Sequence, residues 1–299
     1  MATTGGWLVV LEANECSVRL DLTVHAVKEG NQLVVQSVPA GLHYLTEGRL
    51  DPIPGLWFDL QPGQVLVFVF NEELERYDNV SPETTNEYEK LISSGAKIEN
   101  LKTYNRNIDV GQNDRWVAWQ KLTKHLKLDN IPPTIHPDEA IEPPANLSLE
   151  ERGNWLRNQP TRFEQALFNT HQGNTEALLS EFEYVFINQF VNPTDSIALK
   201  RWNYLVQAFY NAGERGITKV PAFFISLVDL LLVQFALTFD AKLKPGYVAI
   251  CGIANRVKID LVSGAEYLIE DMIDSEIEGV VEKGQEFAAY LKQRGIVSE

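Results

Sequence analysis

Cysteine is nearly absent from this sequence, which has 2 cysteines, Cys16 and Cys251, in 299 residues. Their wide separation indicates neither a disulfide framework nor a thiolate metal site, so two free thiols in a reducing compartment are expected. The histidines are also few, and none pairs with another at the i, i+4 spacing that places two metal ligands on one helix face. They are His25, His43, His125, His136 and His171. We therefore predict no metal site.

Positive charge is scarce. The chain has 26 lysines and arginines against 41 aspartates and glutamates, a formal net charge of -15. Binding to a phosphate backbone requires clustered Lys and Arg side chains that displace counterions. The composition thus argues against a direct nucleic-acid partner and suits a basic protein partner better.

Recognisable catalytic motifs are missing as well. The sequence has no phosphate-binding glycine loop, no GxGxxG after a strand, no HExxH and no GxSxG elbow. We predict no cofactor and no small-molecule substrate. The acidic residues between Glu266 and Glu286 could supply paired carboxylates for acid-base chemistry, but a solvated helix face explains them better.

One apolar run, VPAFFISLVDLLLVQFALTF at 220–239, has the length of a membrane span. Asp229 lies near its middle, where an acidic residue costs about 2.5 to 3.5 kcal/mol on insertion scales, and Gln234 adds to that cost. We expect the central helix of a soluble bundle and no membrane partner. The N-terminal residues MATTGGWLVVLEA lack the basic region and cleavage site of a signal peptide.

The first 70 residues have the composition of short strands. Segments rich in β-branched and aromatic residues, bounded by Gly, Pro or Asn, occur at 7–13, 17–24, 31–38 and 41–48. GLWFDLQPGQVLVFVF (55–70) then predicts a hairpin with its turn at Gln61–Gln64. Strands at this spacing indicate a small antiparallel sandwich or barrel-like domain.

The second arm of that predicted hairpin is apolar on both faces, because Val65, Val67 and Val69 alternate with Leu66, Phe68 and Phe70. A strand of this kind is covered on both sides. We expect its own sheet on one face and the helices between 83 and 127 on the other. Trp57, in the first arm, is either a core residue or an exposed anchor of an interface.

The remaining sequence is helical in pattern. Ser81 and Pro82 start a helix expected at about 83–95, and tryptophans and leucines at helical spacing predict another at 114–127. The proline-rich segment 131–147 predicts an extended linker. Beyond it, a capping box at Ser148 and helices at 174–190, 195–212, 220–239, 252–273 and 276–294 predict a helical domain at 148–299. The domains are therefore 1–130 and 148–299.

Two sets of residues resemble the signatures of a known family. Val38–Tyr44 (VPAGLHY) followed by Gly55–Phe58 (GLWF) resembles the N-terminal signature of the A1 cistron-splicing factor family, which assembles the spliceosomal U5 particle. Glu181–Phe186 (EFEYVF) and Trp202–Leu205 (WNYL) resemble its C-terminal helical signature. The likeness covers residues 7 to about 240, and the later residues do not align with the family's tail, which contributes a strand to the complex.

The resemblance implies an α+β protein with a β-rich N-terminal domain and an all-α, VHS-like C-terminal domain. It implies a non-enzymatic pre-mRNA splicing factor, a chaperone-like assembly factor of the U5 snRNP. Such a factor binds the RNase-H-like and Jab/MPN domains of the largest U5 protein in the cytoplasm and holds off the RNA helicase; shuttling to the nucleus is left open. His43, Trp57 and Trp202 lie in the signatures and are the candidate partner-binding residues. Two alternatives stay open: a related binding module with a non-spliceosomal partner, or an enzyme with an unrecognised site around His43.

Overall fold

The computed structural model describes residues 5–13, 17–27, 31–47, 55–104, 115–131, 143–191, 196–239 and 251–296. The chain divides into two compact units. The first is built mainly on Met1–Asp129 and is rich in strands, and the second is built on later segments and is helical. The predicted α+β class with two domains is confirmed. Most of the predicted linker, residues 132–142, lies outside the described residues.

The described part of the first unit contains two sheets. Its strands are β1 (Gly6–Leu11), β2 (Ser17–Leu20), β3 (Thr23–Ala26), β4 (Gln32–Val38), β5 (Gly41–Glu47), β6 (Leu56–Leu60), β7 (Val65–Asn71), β8 (Arg76–Asn79) and β9 (Leu101–Thr103). One sheet has the order β8-β7-β1-β4-β9 and the other β3-β2-β5-β6. The second sheet is antiparallel, as predicted. The first is mixed, because β1 pairs parallel with β7 and β4 pairs parallel with β9.

The predicted hairpin at 55–70 is wrong. β6 pairs with β5, whereas β7 lies between β1 and β8, so the turn at Gln61–Gln64 carries the chain from one sheet to the other. Gly63 has φ 73°, and the Gln64 carbonyl accepts a hydrogen bond of 2.8 Å from the Trp7 amide of β1. The same turn residues suit a hairpin and a sheet-to-sheet connection, and the pairing of β7 with β1 decides between them.

The predicted strand 17–24 is also wrong, because it is a two-stranded hairpin. β2 and β3 pair antiparallel with Leu20 opposite Thr23, and Asp21 and Leu22 form the turn. Asp21 has φ 51°, the left-handed conformation that two-residue hairpin turns require. The alternation of apolar and polar residues continues through the turn, so the sequence pattern conceals it.

The strand β7 is covered on both faces, as predicted. Val65 and Val67 pack with Val9 and Val34, and Tyr88 and Ile92 of helix α1 (Pro82–Ser93) pack against this cluster. On the other face, the rings of Phe68 and Phe58 approach to 5.3 Å between centroids and join the two sheets.

The two helices described in the first unit differ in what they cover. Ser81 caps α1, since its hydroxyl accepts the Thr84 amide at 3.3 Å. Helix α2 (Arg115–Leu122) contacts β5 and β6. It is shorter than predicted. The Thr123 hydroxyl bonds to the Trp119 carbonyl at 2.9 Å, and this kind of local bond competes with helix continuation.

The second unit consists of helices. They are α3 (Leu149–Asn158), α4 (Arg162–Glu164, continued by a π-helical turn at Gln165–Thr170), α5 (Thr175–Val191), α6 (Ser196–Tyr210), α7 (Gly213–Lys219), α8 (Pro221–Phe239), α9 (Cys251–Val262), α10 (Ala265–Asp274) and α11 (Glu278–Gln293). The capping box at Ser148 is confirmed, because Ser148 and Glu151 exchange hydrogen bonds of 2.8 and 3.3 Å. The helix expected at 252–273 is two helices, because Gly264 has φ 92° and ends the first.

Helix α8 is long and apolar enough to cross a membrane by length and composition. In the structure nine of its side chains are buried inside the helical unit, among them the polar Gln234. Phe235 packs edge-on against Phe287 of α11 at 5.6 Å. α8 is therefore a core helix of this unit, as expected from Asp229 and Gln234.

Trp202 lies in the helical core, and its replacement tests how tightly that core is packed. Its side chain is 0% exposed, it lies 6.0 Å from the Phe186 ring, and its indole N–H donates to Gln234 Oε1 at 3.1 Å. We expect Trp202→Ala to lower the free energy of unfolding by about 3 to 5 kcal/mol, because it leaves a large cavity.

The measurement is chemical denaturation followed by far-UV circular dichroism. Trp202→Phe is the control, and it should cost less than Trp202→Ala because it keeps most of the buried volume. A loss below about 1 kcal/mol for Trp202→Ala would contradict its place in the core.

Candidate functional site

Asp21 lies at the centre of a buried polar cluster in the first unit. Asp21 is 1% exposed. Its carboxylate accepts hydrogen bonds from His43 Nδ1 (2.7 Å), the Tyr44 amide (2.9 Å) and the Tyr104 hydroxyl (2.8 Å). One carboxylate thus connects the β2–β3 turn, the middle of β5 and the residue after β9.

His43 completes the cluster. Its Nε2 lies 2.7 Å from the Pro39 carbonyl, which can only accept, so Nε2–H donates to it. The ring stacks against Trp116 at 4.9 Å and Phe58 at 5.4 Å. A protonated imidazolium donates to both oxygen partners and is attracted by the aromatic faces.

The pKa of His43 follows from these contacts. Burial lowers it, but the Asp21 carboxylate and the Pro39 carbonyl outweigh burial and raise the pKa above its ordinary value of 6.5. Both ring nitrogens face oxygen acceptors, so these contacts favour the protonated imidazole in a dry environment.

The surroundings of His43 can be compared with what an enzyme site around this residue would need. A carboxylate does lie within hydrogen-bond reach of His43, as an acid-base site would need. However, the side chains of both residues are 0% exposed. In this conformation no substrate can reach the imidazole, and what the cluster does is join secondary-structure elements.

The three candidate partner-binding residues fall into different environments. His43 and Trp202 are fully buried, each within its own unit. Trp57 is half-buried; its ring lies 4.7 Å from Tyr44 and stacks at 5.9 Å on Trp119 of α2. Of the three, only Trp57 presents surface to a partner, and its role in binding stays a prediction.

A second buried ionic cluster, which the sequence reasoning missed, lies in the helical unit. Arg201 of α6 forms two hydrogen bonds with Glu181 of α5, at 3.0 and 2.9 Å, and His171 Nε2 lies 2.7 Å from Glu181 Oε2. Burial raises the pKa of Glu181, but His171 and Arg201 outweigh it and hold the pKa below its ordinary value of 4.5. The available signal was a glutamate within the apolar pattern of α5.

Asp21 was missed for a similar reason, since it occupies a polar position in what looked like one amphipathic strand.

Among the described residues, no group of three or more His, Cys, Asp or Glu side chains could hold a metal ion.

A double-mutant cycle tests the Asp21–His43 pair. We expect His43→Leu to lower the free energy of unfolding by about 3 to 5 kcal/mol, because it leaves a buried carboxylate without its charge partner. Asp21→Asn/His43→Leu should cost less than the sum of the two single changes, since neither charge then remains. Additive losses, measured by denaturation, would contradict the coupling.

The raised pKa of His43 predicts a dependence of stability on pH. The stabilisation from its proton is fully present below pH 6.5, the unfolded-state value, and is lost as pH rises through the higher folded-state pKa. We expect the unfolding free energy of the wild type to fall more across that range than that of Asp21→Asn/His43→Leu. Equal pH dependence in the two proteins would contradict this assignment.

Comparison with known protein families covers both units. The family model described as AAR2 N-terminal domain matches residues 6–136, and the one described as AAR2 C-terminal repeat region matches residues 135–294. No curated protein sequence matches the chain. The second match extends past residue 240, where the resemblance in the sequence ended, and includes α9, α10 and α11. The chain therefore belongs to the AAR2 family, the A1 cistron-splicing factors, which are spliceosomal assembly factors.

Proposed function

We propose that this protein is a non-enzymatic, chaperone-like assembly factor of the U5 snRNP. It binds the RNase-H-like and Jab/MPN domains of the largest U5 protein and holds off the RNA helicase during assembly. This binding takes place in the cytoplasm, before the particle enters the nucleus.

The observation that carries this proposal is the ordered match of both family domains over residues 6–294. Because the second match includes the acidic helices after residue 240, these helices belong to the family's own C-terminal region. The lack of alignment after residue 240 was the reason for considering another kind of binding module, and the second match weakens that reason.

The buried clusters support a role without catalysis. The hydrogen bonds of Asp21, His43 and Glu181 are directed at protein groups, and their side chains are at most 1% exposed. Polar groups used in this way stabilise a fold and are not poised against a substrate. The net charge of -15 also suits association with a basic protein surface.

Mixing the full chain with the RNase-H-like domain from the same organism tests the proposal. We expect a complex that co-elutes in gel filtration at concentrations of about 10 µM, and we expect Trp57→Ala to weaken it about tenfold or more. Trp57→Phe is the control, because it keeps an aromatic ring at this position.

Two results would contradict the proposal. One is the absence of any complex, with the RNase-H-like domain and with the Jab/MPN domain alike, at concentrations of tens of micromolar, where a complex with a Kd of about 10 µM would be seen. The other is simultaneous binding of this protein and the helicase to the largest U5 protein. A stoichiometric non-spliceosomal partner from the native cell would then favour the binding-module alternative.

A further inference from the structure

The solvent face of α10 combines acidic and apolar side chains in an unusual way. Its exposed residues are Glu266, Tyr267, Glu270, Ile273 and Asp274. At about 100° per residue these five positions lie within an arc of about 120°. The three carboxylates form the middle of the arc, and Tyr267 and Ile273 flank them on either side.

The three carboxylates on this face are not neutralised by the residues that the structure describes. Among the described residues, Glu266, Glu270 and Asp274 form no ion pair, and α10 itself contains no Lys, Arg or His. Glu266 and Glu270, and likewise Glu270 and Asp274, are four residues apart, a spacing at which like charges destabilise a helix. Asp274 also lies at the helix C-terminus, where negative charge is unfavourable.

The carboxylates of this face also affect the pKa of Asp271, which lies beside it. Burial is the first cause that raises its pKa above the ordinary value of 3.8, and the neighbouring Asp274 and Glu270 carboxylates raise it further. The face therefore carries concentrated negative charge that the described structure does not neutralise.

The two flanking apolar side chains are exposed to solvent, Tyr267 by 54% and Ile273 by 39%. The opposite side of α10 holds it in place, because Leu268 and Met272 are fully buried and the helix packs against α11. A β-carbon added at Gly284 of α11 would lie 3.0 Å from Met272 Cβ, so the two helices are in close contact. This packing determines which face of α10 is turned to solvent.

We propose that this face, Glu266–Tyr267–Glu270–Ile273–Asp274, is a docking surface for an extended, arginine-rich segment of a partner protein. An arginine side chain can contact all three kinds of group on this face, namely the carboxylates, the aromatic ring and the apolar side chain. Its planar guanidinium pairs with a carboxylate through two hydrogen bonds and also stacks on an aromatic ring such as Tyr267. Its aliphatic stem covers apolar surface such as Ile273. Lysine offers the charge and the stem but not the planar fork.

The spacing of the three carboxylates indicates that the bound arginine-rich segment is extended. Glu266, Glu270 and Asp274 follow one another every four residues, a rise of about 6 Å along the helix. In an extended chain, side chains on one face recur every two residues, at about 6.6 Å. Arginines at alternate positions of an extended peptide therefore match the three acids one to one.

This surface belongs to the helical unit and Trp57 to the β-rich unit, and the proposal does not depend on which domains of the U5 protein are bound. Failure of the arginine-segment test therefore leaves the proposed U5 function standing, and the reverse is also true.

The test uses the full chain and three fluorescent peptides of equal net charge at near-physiological salt. One peptide alternates Arg with Thr, the second alternates Lys with Thr, and the third has the same arginines in one uninterrupted block. We expect the alternating arginine peptide to bind about tenfold more tightly than the lysine peptide, because bidentate pairing and stacking are lost with lysine. The block peptide should bind less tightly than the alternating one.

Matched variants locate the site. Glu266→Gln/Glu270→Gln/Asp274→Asn should weaken the alternating arginine peptide about tenfold or more. The control Glu73→Gln/Glu87→Gln/Glu89→Gln removes the same charge from exposed positions of the first unit and should leave binding nearly unchanged. Tyr267→Ser should reduce the preference for arginine over lysine, and Tyr267→Phe should keep it.

Three outcomes would overturn the proposal. Equal binding of the arginine and lysine peptides would indicate unspecific attraction to an acidic protein. Equal loss in the two triple variants would place the interaction elsewhere. An unchanged arginine preference in Tyr267→Ser, with the variant shown to be folded by circular dichroism, would remove the stacking contact.

Discussion

The β-rich unit depends on one compensated pair of buried charges, Asp21 and His43. The carboxylate accepts three hydrogen bonds within 2.9 Å, and the imidazole uses its other nitrogen on the Pro39 carbonyl. The contacts of the pair include a hairpin turn, the strand β5, the residue after β9 and the helix α2. Because a buried charge is tolerated only when its partners are complete, this cluster fixes the positions of these elements within the β-rich unit.

The helical unit also contains buried charged side chains that are paired with one another. Glu181, Arg201 and His171 join α5, α6 and the turn before α5. His43, Trp202 and Glu181 all belong to the segments that identify the family, and all three are buried. The residues that make the family recognisable are therefore largely those that hold each domain together. Trp57, which also lies in a signature segment, is half-buried and so keeps some exposed surface.

The face of α10 is the opposite case. The buried carboxylates of Asp21 and Glu181 are hydrogen-bonded, whereas Glu266, Glu270 and Asp274 stand in solvent with no cation beside them among the described residues. Water screens such charges at low cost, so the fold tolerates the repulsion. The accompanying exposure of Tyr267 and Ile273 is what distinguishes this face from an ordinary solvated helix surface, because apolar area at the surface is available for binding.

Local pattern determined much of this protein by itself: the α+β class, the β-rich first unit and the helical second unit, the caps at Ser81 and Ser148, and the burial of both faces of β7. These features depend on residues near in sequence, whose periodicity and turn chemistry act locally. Tertiary structure alone decided that β6 and β7 join different sheets, that residues 17–24 fold back at Asp21, and that Gly264 divides a helix. It also decided which side chains meet, since Asp21 and Tyr104 are 83 residues apart and become neighbours only when two sheets are assembled.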